Sequence, residues 1–153
     1  MDLIVWRHAE AYDAEPGEDD MNRVLTPRGK KQAERMAVWL ESQLPQGTRI
    51  LSSPAARAEQ TVRALGRKYK VRDALSPGAS VADILETAGW PDAKYPVLVV
   101  GHQPALGALM AELLRMPDPA CTIRKGAVWW VRRRSREGQD QTVLQAVICP
   151  DRL

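Results

Sequence analysis

Leu3-Ile4-Val5-Trp6-Arg7-His8 is the stretch on which the reading of the whole chain turns. Four consecutive apolar residues near the start of the chain read as a short buried strand. The run breaks at an arginine and a histidine. In open parallel sheets the carboxyl ends of the strands face the ligand crevice, so a cation and an imidazole placed there are positioned to meet a substrate. A strand that merely ran out into a polar loop would leave His8 on the surface, and this pair alone does not separate the two cases.

A second stretch separates them. Pro96-Val97-Leu98-Val99-Val100-Gly101-His102 repeats the design, with a β-branched run that breaks at a glycine and delivers a histidine to the strand end. The chain has two histidines, and both sit at such ends. If the two strands are parallel neighbours, both imidazoles face one crevice.

Outward from these strands the remaining elements fall into place. Ala9 to Val24 is a loop carrying Glu10, Asp13, Glu15, Glu18, Asp19 and Asp20, expected to point outward as a solvated rim because acids facing an anion site would repel the anion. The loop leaves and returns near one strand end, so Arg23 is able to fold back to the crevice as a substrate-binding residue. Thr26-Pro27 opens a helix with a capping hydroxyl and a first-turn proline, and Ala33, Met36, Ala37, Leu40 and Leu44 recur at helical spacing. Arg49-Ile50-Leu51 is a short strand, followed by a helix with Ser53 expected at its cap and Arg57 at its fourth position, leaning back toward the strand end. A strand at Lys70-Val71-Arg72 and a helix from Ser80 to about Ala88, closed by Gly89, follow. After His102 a helix runs through Leu106, Leu109, Met110, Leu113 and Leu114 to Met116-Pro117. Gly126 to Val131 and Thr142 to Ile148 form an antiparallel hairpin around Arg136 to Asp140. Alternating strands and helices closed by a hairpin give an α/β class fold, a three-layer α/β/α sandwich with a mostly parallel sheet.

Bulk properties bound the rest. At 153 residues, 44% hydrophobic and 27% charged, the chain is expected to be one domain over residues 1–153, a monomer without repeats. No basic leader and no long apolar run is evident, so a cytoplasmic protein with no membrane contact is expected. Cys121 and Cys149 lack metal-ligand spacing and read as packing residues. A net charge of +3 suits a small anionic group. Arg124, Lys125, Arg132, Arg133, Arg134 and Arg136 beside Trp129 and Trp130 read as a solvated hairpin rather than a nucleic-acid surface, with one tryptophan on each face of a strand.

Arg7, His8, Arg57 and His102 thus converge on one crevice from separate segments. Two arginines and two imidazoles, with no cysteine nucleophile and no carboxylate cluster for a metal, suit a tetrahedral anion, of which phosphate is the commonest. At these residues the chain resembles the histidine phosphatase superfamily, and within it the small bacterial SixA-like phosphohistidine phosphatases. The resemblance is carried by Trp6-Arg7-His8-Ala9, Leu25-Thr26-Pro27-Arg28-Gly29, Ser52-Ser53-Pro54-Ala55-Ala56-Arg57-Ala58-Glu59-Gln60-Thr61 and Gly101-His102-Gln103-Pro104, in the family's order. Ala9 stands where the family usually has glycine, which is tolerated if its φ is negative.

The resemblance implies a phosphoglycerate mutase-like fold and catalysis without cofactor or metal. By it His8 is the nucleophile, giving a phosphohistidine intermediate that water cleaves, and Arg7 and Arg57 hold phosphate oxygens with a protonated His102 as the third contact. For this His8 must be neutral with one ring nitrogen bare, its other nitrogen donating to a backbone carbonyl. The expected partner is phosphohistidine on a protein. The alternatives are another phosphate substrate, such as a sugar phosphate, or a non-catalytic module that docks phosphate. No carboxylic acid stands where larger members carry their general acid, which counts against alkyl esters. Gly66 to Lys94 has room for only a short strand and one or two helices, so the crevice is expected to be shallow and open.

Overall fold

The first apolar run becomes β1 (Asp2–Arg7), an inner strand of a six-stranded sheet. The other strands are β2 (Arg49–Ser52), β3 (Lys70–Val71), β4 (Val97–Gly101), β5 (Val128–Arg136) and β6 (Gln139–Ile148), in the order β3-β2-β4-β1-β5-β6. The pairs β3·β2, β2·β4 and β4·β1 are parallel, whereas β5 runs antiparallel to β1 and β6 to β5. The computed structural model describes residues 1–119 and 121–153. No helix among them is long and apolar enough to cross a membrane.

Period-two alternation along β1 and β4 divides the core. Ile4, Trp6, Leu98 and Val100 face one side, where α1 (Pro27–Gln43) and α2 (Ala56–Arg63) pack through Met36, Leu40, Ala58 and Val62. Leu3, Val5, Val97 and Val99 face the other, against α3 (Val81–Ala88) and α4 (Ala105–Leu113) through Ile84, Leu106, Leu109 and Met110. The result is the expected α/β/α sandwich. Burying each large aliphatic side chain of β1 contributes about 1.5–3 kcal/mol, so the strand that presents Arg7 and His8 is among the most firmly held.

Local chemistry sets the element ends. The Thr26 hydroxyl accepts from the Gly29 N–H at 3.0 Å with Pro27 next, as expected for the start of α1. Gly29 lies against the Glu10 carbonyl so closely that a Cβ there would collide with it, which pins the loop leaving His8 to the first turn of α1. Ser80 and Asp83 form a reciprocal capping box on α3, and Gly89 closes it in the left-handed region.

Two boundaries differ from expectation. α2 begins at Ala56, so Ser53 is not its cap and Arg57 is its second residue rather than its fourth. The hairpin strands are longer than the hydrophobic pattern indicated, and the turn shrinks to Glu137-Gly138, both with positive φ. Cross-strand pairing carries the polar residues Arg132 to Arg136 into β5. Trp130 packs on the α1 face and Trp129 on the opposite one. Arg132 donates to both carboxylate oxygens of Asp2, at 2.6 and 2.8 Å, and Arg133 pairs with Asp140, so these hairpin cations are partnered.

Candidate active site

Parallel pairing of β1 with β4 sets Arg7 opposite Gly101, so the residues that follow, His8 and His102, leave the sheet side by side. The ring centroids lie 5.2 Å apart at 54°. The His8 N–H also donates to the Gly101 carbonyl at 3.1 Å, extending the ladder one residue past the strands.

His8 Nδ1 lies 2.7 Å from the Ala9 carbonyl, which can only accept, so the proton sits on Nδ1 and Nε2 keeps a free lone pair. This is the tautomer expected for a nucleophile. Burial pushes His8 down to a pKa of about 4; the Ala9 hydrogen bond opposes the shift, and the charges of Arg57, Arg7 and Arg23 deepen it. At neutral pH the ring is uncharged. Ala9 itself has no positive φ, so the methyl in place of a glycine hydrogen is accommodated, fully buried.

His102 departs from expectation. Its Nε2 lies 2.8 Å from the Ser53 hydroxyl, and its buried Nδ1 has no hydrogen-bond partner among the described residues. Burial, then the neighbouring His8 and Arg57, lower its pKa to about 3, partly offset by the negative charge of Asp20. The protein's own groups hold His102 neutral rather than protonated. A phosphate dianion beside it pushes in the opposite direction.

The two arginines reach the same place from different elements. Arg7 donates through Nη1 to the Ile123 carbonyl at 2.7 Å, and Arg57, 4% exposed, projects from the first turn of α2. The Nε atoms of both are buried without a partner among the described residues. Buried guanidinium N–H groups are costly to leave unmet, so two such donors beside two imidazoles are the mark of an anion site. Arg23 lies at the rim: its Nε donates to the Tyr12 carbonyl at 2.6 Å and Nη1 to Asp20 Oδ1 at 3.2 Å, and its charge reaches His8. No group of three potential metal ligands occurs among the described residues.

Three residues at this site carried other readings in the sequence. Ser53 is not the cap of α2; its oxygen accepts from the Ala55 N–H at 3.1 Å and also meets His102. Thr61 stood in the sequence only as the last residue of a motif; its oxygen accepts from the Ala9 N–H at 3.0 Å while its hydroxyl donates to the Arg57 carbonyl at 2.8 Å, tying the loop after His8 to the helix of Arg57. Asp20 was expected to face solvent with its acidic neighbours. It remains 53% exposed, yet also lies on Arg57, its main-chain carbonyl accepting from Nη1 at 2.8 Å and its Oδ2 from Nη2 at 3.0 Å. A short 3-10 turn, Asp20–Asn22, brings it there, started by Asp19 accepting from the Met21 N–H. The crevice is therefore less open than expected, with His8 and His102 only 7% and 5% exposed.

A three-layer sandwich with two imidazoles at the carboxyl ends of adjacent parallel strands and two arginines beside them defines an α/β protein with a site for a phosphate-like anion. A profile of the histidine phosphatase superfamily (branch 1) matches residues 3–79. The phosphohistidine phosphatase SixA of Escherichia coli (strain K12) is 33% identical over 121 residues, 74% of each chain. The SixA homolog of Haemophilus influenzae is 31% identical over 135 residues, 78% of this chain and 80% of that one. The structure of the protein histidine phosphatase SixA complexed with tungstate superposes with a TM-score of 0.74 at 26% identity, covering 99% of both chains. The chain belongs to the histidine phosphatase superfamily, and within it is similar to the SixA proteins.

Proposed function

We propose that the protein hydrolyses phosphohistidine on other proteins, with His8 as the nucleophile. The observation that carries this reading is the His8 imidazole: neutral, held by the Ala9 carbonyl in the tautomer that bares Nε2, and flanked by two buried, unmet arginine donors. In the first step the Nε2 lone pair attacks phosphorus and the bond to the substrate's imidazole nitrogen breaks. The leaving ring departs as neutral imidazole once its other nitrogen has taken a proton from solvent, which its near-neutral basicity allows. Water then attacks the phosphorus on Nε2, giving a proton to the medium and returning free His8 and inorganic phosphate. Arg7 and Arg57 hold the equatorial oxygens through their free N–H groups, and His102 Nδ1, protonated as the dianion enters, adds a third contact where charge spreads. Arg23 favours the anion from the rim.

The leaving group supports the substrate class. The carboxylate nearest this chemistry, Asp20, is raised by burial but lowered more by its hydrogen bonds to Arg57 and Arg23, so it stays ionised and makes a poor proton donor. An alkoxide needs such a donor at the moment of cleavage, whereas an imidazole with a conjugate-acid pKa of about 6.5 is protonated by solvent beforehand. The SixA proteins, phosphohistidine phosphatases by name, point the same way. The decisive measurement is kcat/KM for a phosphohistidine peptide, phosphoserine and sugar phosphates in parallel. The phosphohistidine peptide is expected to lead by well over tenfold; a sugar phosphate ahead by tenfold, about 1.4 kcal/mol of transition-state preference, overturns the assignment.

A further inference from the structure

A guanidinium offers two forks, an end-on pair made by Nη1 and Nη2 and a side-on pair made by Nε and the outer N–H of Nη2. Asp20 fills the end-on fork of Arg57, with its carbonyl on Nη1 and its Oδ2 on Nη2. The side-on fork is what remains: Nε is buried, and no described residue accepts from it. The same carboxylate reaches Arg23 Nη1 through Oδ1, so one acid spans two cations.

We propose that Asp20 is a positioning residue for Arg57, closing the end-on fork so that the side-on fork stays turned toward the phosphoryl group on His8. The inference rests on the function proposed above. A carboxylate at an anion site is unfavourable on charge alone, and here it is placed on the one edge of Arg57 that the substrate does not need. Arg7, Arg57 and Arg23 outnumber it, so the site keeps a positive balance while Arg57 loses its freedom to swing. An arginine held in advance meets the transition state without reorganising, and a misplacement of about 1 Å is enough to cost about 10²-fold in rate. The opposite arrangement is a plug, in which Asp20 occupies the place of substrate and must leave before phosphate enters.

The test uses the full chain with phosphoramidate as substrate, which makes no contact with a protein surface, and phosphate and orthovanadate as ligands. Asp20→Ala keeps the main-chain contact to Nη1 and loses the carboxylate prong. It is expected to lower kcat about tenfold with KM changed less than twofold, and to weaken vanadate, a mimic of the five-coordinate phosphorus, about tenfold while phosphate changes less than twofold. Asp20→Asn keeps an acceptor for Nη2 without the charge and is expected to recover part of the loss. In calorimetric titration with vanadate, Arg57→Ala weakens binding and Asp20→Ala on top of it adds nothing, because Asp20 acts through Arg57. An Asp20→Ala variant with higher kcat/KM or tighter phosphate binding makes the residue a plug and overturns the proposal. Additive losses in the double variant overturn it too, as does Asp20→Ala at wild-type kcat while Arg57→Ala is inactive, a result that leaves the proposed function standing. Wild-type turnover in Arg57→Ala removes that function and the role of Asp20 together.

Discussion

Lowering the pH from 7 to 5 should destabilise the fold through its two histidines. In the unfolded chain an imidazole titrates near the ordinary value of about 6.5, whereas the folded protein holds His8 at about 4 and His102 at about 3. Between these values the unfolded state binds more protons, so stability is present at neutral pH and lost as the pH falls. Each histidine contributes about 2 kcal/mol of the loss between pH 7 and pH 5, or about 4 kcal/mol together. Carboxylates titrate mostly below this window, and the chain has no other histidine. Urea unfolding at the two pH values measures the difference directly. His8→Asn and His102→Asn should each remove about half of it, and the double variant should be nearly flat. A wild-type loss under about 1 kcal/mol, or a double variant as sensitive as wild type, would mean that the imidazoles are charged in the fold and that the neutral nucleophile is wrong.

His8→Ala should abolish turnover with the fold retained, and rapid quenching of wild type should trap phosphate on His8 that is lost in acid and kept in base; phosphate on a serine or aspartate instead removes the mechanism. Arg57→Lys should lower kcat by about 10²-fold despite keeping the charge, because a point charge cannot replace a fork, and an effect of only a few-fold would place Arg57 outside the site. Gly29→Ala should cost about 1–3 kcal/mol in urea unfolding, since its methyl meets the Glu10 carbonyl, and a neutral result would show that the loop after His8 is not pinned there. Turnover should be unchanged by EDTA, and loss on chelation would reopen a metal-dependent reaction.

The parts of the site that were legible in the sequence are those written by periodic, local signals. β1 and β4 are apolar runs that end in histidines, and their parallel pairing follows from the α/β alternation; the meeting of His8 with His102 required no more than that. The start of α2 was less legible because Ser53-Pro54 satisfies the local rule for a helix cap, whereas the Ser53 oxygen accepts from the Ala55 N–H, ahead of the helix, and also meets its tertiary partner His102. Composition cannot reveal that second partner, which only the fold brings within reach. The protonation of His102 before substrate enters was hidden for a related reason. A histidine facing phosphate suggests a cation, but burial and the neighbouring Arg57 and Arg7 act on the ring before any phosphate arrives.

Asp20 shows where reading by charge alone stops. Six acids near an anion site are most simply pointed away from it, and Asp13, Glu15, Glu18, Asp19 and Asp20 are indeed exposed, yet Asp20 also reaches Arg57. Repulsion, however, depends on the net charge at a point, not on the sign of one residue. Where buried Arg57 and the rim residue Arg23 converge, the excess is positive, and without a shared anion Arg57 would be free to swing out of the crevice. A single carboxylate on the outer fork lowers that excess while leaving the inner fork free. The same ion pair that makes Asp20 a poor acid thereby makes Arg57 a better clamp, and both effects favour a leaving group that needs no proton from the enzyme.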